Sequence, residues 1–325
     1  MSINRKIVTK NAYRITKHRN QTALRIRVPG GHLEAKYFEL IQSIAQEYGN
    51  GTVHLTTRQG FEIPGIDFTE MAQINERIRP LIEALGISVE IRNDGYPAAG
   101  TRNISACIGN RVCPYANDDT TALAKRLEKE CFPHDFHFKI AVTGCPNDCI
   151  KAHMQDFGII CVTEPQYDAS KCISCEACIK NCKKKVTGAL SLKNFNVERD
   201  TDLCIGCGEC ILQCPTGAWT RSDTKYYRMV IMGRTGKKNP RLAMPFMKWA
   251  SQDVIVQVIK NTYDFVDRYI DRSLPKEHIG YIVDRMGYHT FKEEVLQGIE
   301  LNPEIQIAQH INWSGYHYKS DEQFR

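Results

Sequence analysis

Fourteen cysteines sit in this 325-residue chain, and twelve of them fall into spaced groups. A fold that must bring such groups together around metal has few alternatives. The first group is Cys107 and Cys113, C-x5-C, followed after 31 residues by Cys145 and Cys149, C-x3-C. Four thiolates can hold one [4Fe–4S] cube, since soft sulfur suits iron and each cysteine caps one iron. A four-cysteine zinc site brings its ligands in pairs two to four residues apart, a pattern the x5 spacing fits poorly. Zinc and unrelated buried thiols stay open as alternatives at this point.

The other eight ligand-like cysteines form two repeats. Cys172, Cys175, Cys178 and Cys182 read C-x2-C-x2-C-x3-C, and Cys204, Cys207, Cys210 and Cys214 repeat the run with Pro215 after it. This is the bacterial two-cluster ferredoxin pattern, in which the fourth cysteine of each run ligates the other cube. One cube is therefore expected on Cys172, Cys175, Cys178 and Cys214, the second on Cys204, Cys207, Cys210 and Cys182. Lys183 stands where the first run would carry proline, which changes the turn and removes no ligand. The run Lys183–Lys184–Lys185 is a counter-charge to anionic clusters or a docking site for an acidic partner. Cys131 and Cys161 are left over and read as packed small side chains.

Composition excludes several classes. With 42% apolar and 25% charged residues the chain reads as globular. No apolar run approaches the ~20 residues that cross a bilayer, so no membrane span is expected. The start, M-S-I-N-R-K-I-V-T-K, lacks the apolar stretch of a signal peptide. Clustered cysteines in a cytoplasmic protein point to metal and not to disulfides. The net charge of +6 is not gathered into a nucleic-acid stripe, so no nucleic acid is expected as partner.

Along the chain, residues 23–28 alternate and predict a strand, and Leu33, Tyr37, Leu40, Ile41, Ile44 and Tyr48 predict a helix. Residues 53–57 and 61–63 read as strands around Arg58-Gln59-Gly60. Met71, Ile74, Ile78, Ile82 and Leu85 make another helical face, and 87–91 a last strand. This β-α-β-β-α-β order predicts helices on one face of a sheet. Residues 115–131 read as a helix and 136–142 as a strand running into Cys145. Pro146 with Asn147-Asp148 resembles a helix start. Residues 157–163 and 226–233 are expected to pair as a hairpin, leaving 168–222 as a long insert in its loop. Residues 251–271 predict a long helix, and 276–300 two shorter ones.

C-x5-C followed by T-G-C-P-N-D-C resembles the cluster half of the sirohaem sulfite and nitrite reductases. The fold this implies is α+β. A sulfite/nitrite reductase-like half-domain occupies 1–95, a sirohaem and [4Fe–4S] domain 96–167 and 223–325, and an inserted two-cluster ferredoxin domain 168–222. The implied cofactors are sirohaem and three [4Fe–4S] clusters, with Cys149 shared between a cube and the sirohaem iron. T-T-R-Q implies a substrate arginine at Arg58, and T-R-N a second at Arg102. Where the family often carries K-F-K, this chain has His137-Phe138-Lys139. Lys139 matches, and His137 departs from the pattern while remaining able to give a proton near neutral pH. Arg111 in the C-x5-C loop serves substrate or cofactor, or is surface. Arg234, Lys237, Lys238 and Arg241 in the loop G-R-T-G-K-K-N-P-R are candidates for sirohaem carboxylates. The implied activity is six-electron reduction of sulfite to sulfide, as catalytic subunit of an anaerobic, dissimilatory-type complex. Reduction of nitrite to ammonia is the close rival, and a non-catalytic polyferredoxin carrier or a structural zinc protein the more distant ones. No nicotinamide or flavin motif is evident, so the resemblance implies iron–sulfur and NADH-oxidising flavin subunits as electron donors.

Overall fold

The computed structural model describes residues 11–92, 94–98, 100–236, 240–274 and 277–311. Contacts divide the chain into two compact units. One holds residues 1–106, 121–141 and 259–297, the other 107–120, 142–258 and 298–325. The helix Thr120–Cys131 and the helices Ile279–Met286 and Tyr288–Leu296 thus fall largely or wholly with the N-terminal sheet, not with the cysteine-rich segment.

The first unit is built on four antiparallel strands in the order Tyr13–Ile15, Gln21–Ile26, Phe61–Asp67, His54–Leu55. Helices Tyr37–Glu47 and Met71–Ala84 cover it, and their buried Ile41, Ile44, Ile74, Ile78 and Leu81 meet Leu24, Ile26, Ile63 and Ile66 in one core. Two expectations change here. Residues 87–91 are not a strand. Ile87 donates its N–H to the Ile82 carbonyl (3.1 Å), closing the preceding helix, and it buries its side chain in the core. The sheet edge is instead Tyr13–Ile15, whose Tyr13 hydroxyl reaches the Met71 carbonyl and the Asn75 side chain.

The second unit carries strands in the order Gln306–Ile307, Met244–Ala250, Tyr226–Ile231, Phe157–Val162. Every residue of Phe157–Val162 is buried, as its continuous apolar run requires. Tyr226 pairs with Val162 and Ile231 with Phe157, so residues 163–225 are the loop of an antiparallel hairpin. Within that loop lie the short pair 166–167 with 219–220, the hairpin 190–193 with 196–199, and helices Ala177–Lys185 and Glu209–Gln213. Strand Met244–Ala250 is an element the sequence pattern did not reveal.

Candidate active site and metal centres

In the first unit a cavity of about 240 Å³ is walled by Arg25, Arg27, Arg58, Arg102, Thr56, Thr57 and Asn103. Local sequence fixes Arg58. The turn 56–60 closes through Thr56 N–H to the Gly60 carbonyl (2.8 Å) and Gly60 N–H to Thr56 Oγ1 (3.0 Å). A Cβ on Gly60 would stand 2.5 Å from the Ile26 carbonyl oxygen, so only glycine fits. Gln59, at φ 62°, clamps the backbone of Ala106 with both ends of its amide (2.7 and 2.8 Å). Asn103 donates to the carbonyls of Val28 (3.0 Å) and Arg58 (2.6 Å).

Three of these arginines are differently occupied. Arg25 stands across from Glu62 in the sheet and pairs with it at 2.5 Å, as Arg14 does at 2.8 Å. Arg27 is buried against Glu128 in a two-pronged pair (2.7 and 2.8 Å), donates to the Thr101 carbonyl (2.7 Å), and lies 3.7 Å over the Phe132 ring. Arg102 turns to a histidine: its Nε–H donates to His137 Nε2 at 2.9 Å. Burial, reinforced by Arg25, Arg58 and Arg27, draws the Arg102 guanidinium down to about 10. Crowded cations of this kind are chemically suited to an anion.

Residues 136–139 are not a strand, since the strand begins at Ile140 and ends at Thr143. His137 touches Arg102 directly, while Lys139, partly exposed, is not among the residues lining the cavity. Sequence reasoning missed Arg27, Glu128 and Asn103. Arg27, just past the strand Gln21–Ile26, continues the alternation that marks Arg25 and could have been found by it, but no local signal marks Glu128.

The second unit holds the twelve ligand-like cysteines, and all fourteen cysteines are free thiols. Cys145 is buried. Burial raises its thiol above the ordinary value, and neighbouring Cys113, Cys149 and Cys107 add to the rise. The C-x5-C and C-x3-C pairs are thus brought together. Gly144 donates its N–H to Cys107 Sγ at 3.1 Å, and a Cβ there would meet Ala116 at 2.6 Å. No α-helix follows Pro146. Asp148 and Lys151 adopt φ of 49° and 62°, and the Asp148 carboxylate accepts from Ala152 N–H (2.6 Å), His153 N–H (3.1 Å) and His153 Nδ1 (2.7 Å). The expected helix start is therefore replaced by a side-chain clamp.

In the insert, Cys182 lines one apolar cavity with Cys204, Cys207 and Cys210. Burial pushes Cys207 up to about 11 and Cys210 up to about 12, with nearby cysteines adding to both. Thiols whose ionisation is penalised in this way, Cys207 and Cys210, fit a cationic core that compensates them. Around the other set, Ala218 N–H donates to Cys214 Sγ (3.2 Å) and Ser174 N–H to Cys172 Sγ (3.4 Å). Such N–H···S bonds tune cluster potentials. Among the described residues no three His, Cys, Asp or Glu converge tightly enough for a single metal ion, whereas a cube spreads its four thiolates over separate irons. Cys131 and Cys161 are 3% and 0% exposed.

The remaining candidates lie in the second unit. Arg111 stands 3.7 Å from Asp119. Arg234 and Arg241 are buried and bridge each other through their backbones (2.8 and 3.2 Å). Lys237 and Lys238 lie outside the described residues.

Residues 98–302 match the nitrite and sulphite reductase 4Fe-4S domain, and residues 15–81 the nitrite/sulfite reductase ferredoxin-like half domain. The chain belongs to the nitrite and sulfite reductase family. This member is 43% identical to one subunit of the anaerobic sulfite reductase of Salmonella typhimurium, over 94% of this chain and 92% of that protein. It is 32% identical to the coenzyme F420-dependent sulfite reductase of Methanocaldococcus jannaschii, over 84% of this chain and 42% of the relative. Its fold is similar to the crystal structure of dissimilatory sulfite reductase I, with TM-score 0.66 at 16% identity, covering 93% of this chain and 74% of that one. Among the described residues no helix is long and apolar enough to cross a membrane.

Proposed function

We propose that this member of the nitrite and sulfite reductase family is the catalytic subunit of an anaerobic sulfite reductase and reduces sulfite to sulfide. The observation that carries the reading is the arginine-walled cavity, suited to a small oxyanion, in a chain whose near relatives are named sulfite reductases. The balanced reaction takes hydrogensulfite, six electrons and six protons to hydrosulfide and three waters.

Cys107, Cys113, Cys145 and Cys149 would hold one cube, with Cys149, the exposed member, also available to a sirohaem iron. Cys172, Cys175, Cys178 and Cys214 would hold the second, and Cys182, Cys204, Cys207 and Cys210 the third. When bound, these groups supply the electrons and the iron that takes sulfur. Arg58 and Arg102 bind and orient the oxyanion as a charge clamp. Arg27, already neutralised by Glu128, shapes the wall. Lys139 serves as a proton donor, and Arg111, Arg234, Lys237, Lys238 and Arg241 as carboxylate partners for the tetrapyrrole. Iron–sulfur and NADH-oxidising flavin subunits deliver the electrons, in keeping with the Salmonella relative being one subunit of several. Free thiols used for metal support a cytoplasmic location.

An anaerobic visible spectrum with iron analysis tests the reading. Three cubes and one sirohaem predict about thirteen irons per chain, four for each cube and one for the tetrapyrrole. Turnover on sulfite and nitrite with one electron donor then ranks the substrates. Faster turnover on nitrite, or no tetrapyrrole absorbance, overturns the assignment.

A further inference from the structure

Arg102 and His137 are joined in a way that dictates their protonation. A guanidinium has no acceptor, so its Nε–H donates to His137 Nε2 across 2.9 Å. That nitrogen must carry a lone pair, and the imidazole is then neutral with its proton on Nδ1. His137 in this state is no proton source on the Arg102 side. It is an acceptor that occupies Nε and leaves both terminal amino groups of Arg102 for other partners.

A second histidine holds the first. The rings of His137 and His278 meet edge to face, with centroids 4.6 Å apart and planes at 68°. His278 is 2% exposed and itself anchored. Its carbonyl accepts Tyr281 N–H (2.9 Å) at the start of helix Ile279–Met286. Its neighbour Glu277 is paired with Arg285 and accepts Asp271 N–H (2.8 Å). On the other side, Arg102 N–H donates to the Phe138 carbonyl (2.8 Å), and the Phe138 ring stacks on Tyr263 at 4.3 Å. The His137 ring is thus fixed through its backbone and through His278.

We propose that His278 is a positioning residue that keeps neutral His137 as the acceptor for Arg102 and so aims Arg102 into the anion cavity, an inference resting on the reading of that cavity as the sulfite site. A lysine at position 137 has no acceptor to offer Arg102, whereas a histidine Nε2 lone pair does.

The test uses the oxidised holoprotein, which binds sulfite without turning it over. Simple charge counting says His137→Lys adds a cation and tightens sulfite. The proposal says the opposite: Kd rises roughly tenfold, about 1.4 kcal/mol. His137→Gln, which keeps an acceptor, stays within about threefold of the parent by the same conversion. His278→Ala weakens binding roughly tenfold, and His278→Phe, which keeps a ring edge, restores most of it. Nitrogen-15 NMR of histidine-labelled parent protein reads the tautomer without any variant and shows His137 protonated at Nδ1. An Nε2-protonated or doubly protonated His137, or unchanged binding in both His137→Lys and His278→Ala, overturns the proposal. If the parent binds no sulfite, the function reading fails, while the tautomer still decides this one.

Discussion

Replacing Glu128 with glutamine removes one charge and almost no volume beside Arg27, which walls the cavity. Glu128 and Arg27 side chains are each 3% exposed, so solvent does not screen the pair. In the variant Arg27 keeps the Thr101 carbonyl and the Phe132 ring, but its positive charge stays buried without compensation. Breaking one side of a buried pair costs about 3–5 kcal/mol. For a chain of this size that lowers the melting temperature by about 4–7 °C. Anaerobic thermal unfolding of the holoprotein measures it. A double change, Arg27→Met with Glu128→Leu, removes both charges and recovers most of the loss, because well-packed apolar residues replace buried ion pairs at little cost. A drop of under about 1 kcal/mol for Glu128→Gln, the range of exposed pairs, would refute the reasoning, as would a double variant no better than the single.

Other outcomes follow from the same geometry. Cys182→Ser should remove the cluster assigned to Cys204, Cys207 and Cys210, leaving about nine irons per chain by subtracting one cube; loss of the signal belonging to Cys172, Cys175 and Cys178 instead would break the crossed assignment. Gly60→Ala must push the turn away from the Ile26 carbonyl. It should cost about 1–3 kcal/mol and raise KM for sulfite more than it lowers kcat, since Arg58 moves with the turn. Burial pulls the Glu62 carboxyl upward, but hydrogen bonds from Arg25 and Arg14 outweigh it and hold the pKa below the ordinary value. A depressed folded pKa means stability present above the unfolded value near ~4.3 and lost as pH falls through the lower folded value. Glu62→Gln should therefore flatten the acid side of the stability profile below about pH 4, read by urea unfolding at a series of pH values.

The cysteine groups were legible in the chain because spacing is a local property. C-x2-C-x2-C-x3-C turns on itself within a few residues, and the second copy announces its partner. The hairpin pairing of residues 157–162 with 226–231 was also readable, since a buried strand needs a continuous apolar run and two such runs flank the insert. Arg58 and Arg102 were visible only through the motifs that hold them. What sequence could not supply is who faces whom across long separations. Residues 87–91 alternate like a strand, but Ile87 N–H is already spent on the Ile82 carbonyl, and the sheet edge goes to Tyr13–Ile15. Asn147-Asp148 reads as a helix cap, and the Asp148 carboxylate instead ties down Ala152 and His153. Glu128 and His278 carry no mark in the sequence. Their roles arise from packing that sets one against Arg27, 101 residues away in the chain, and the other against His137. Short-range spacing groups the cysteines along the chain, while long-range burial decides which charges are neutralised, as Glu128 neutralises Arg27.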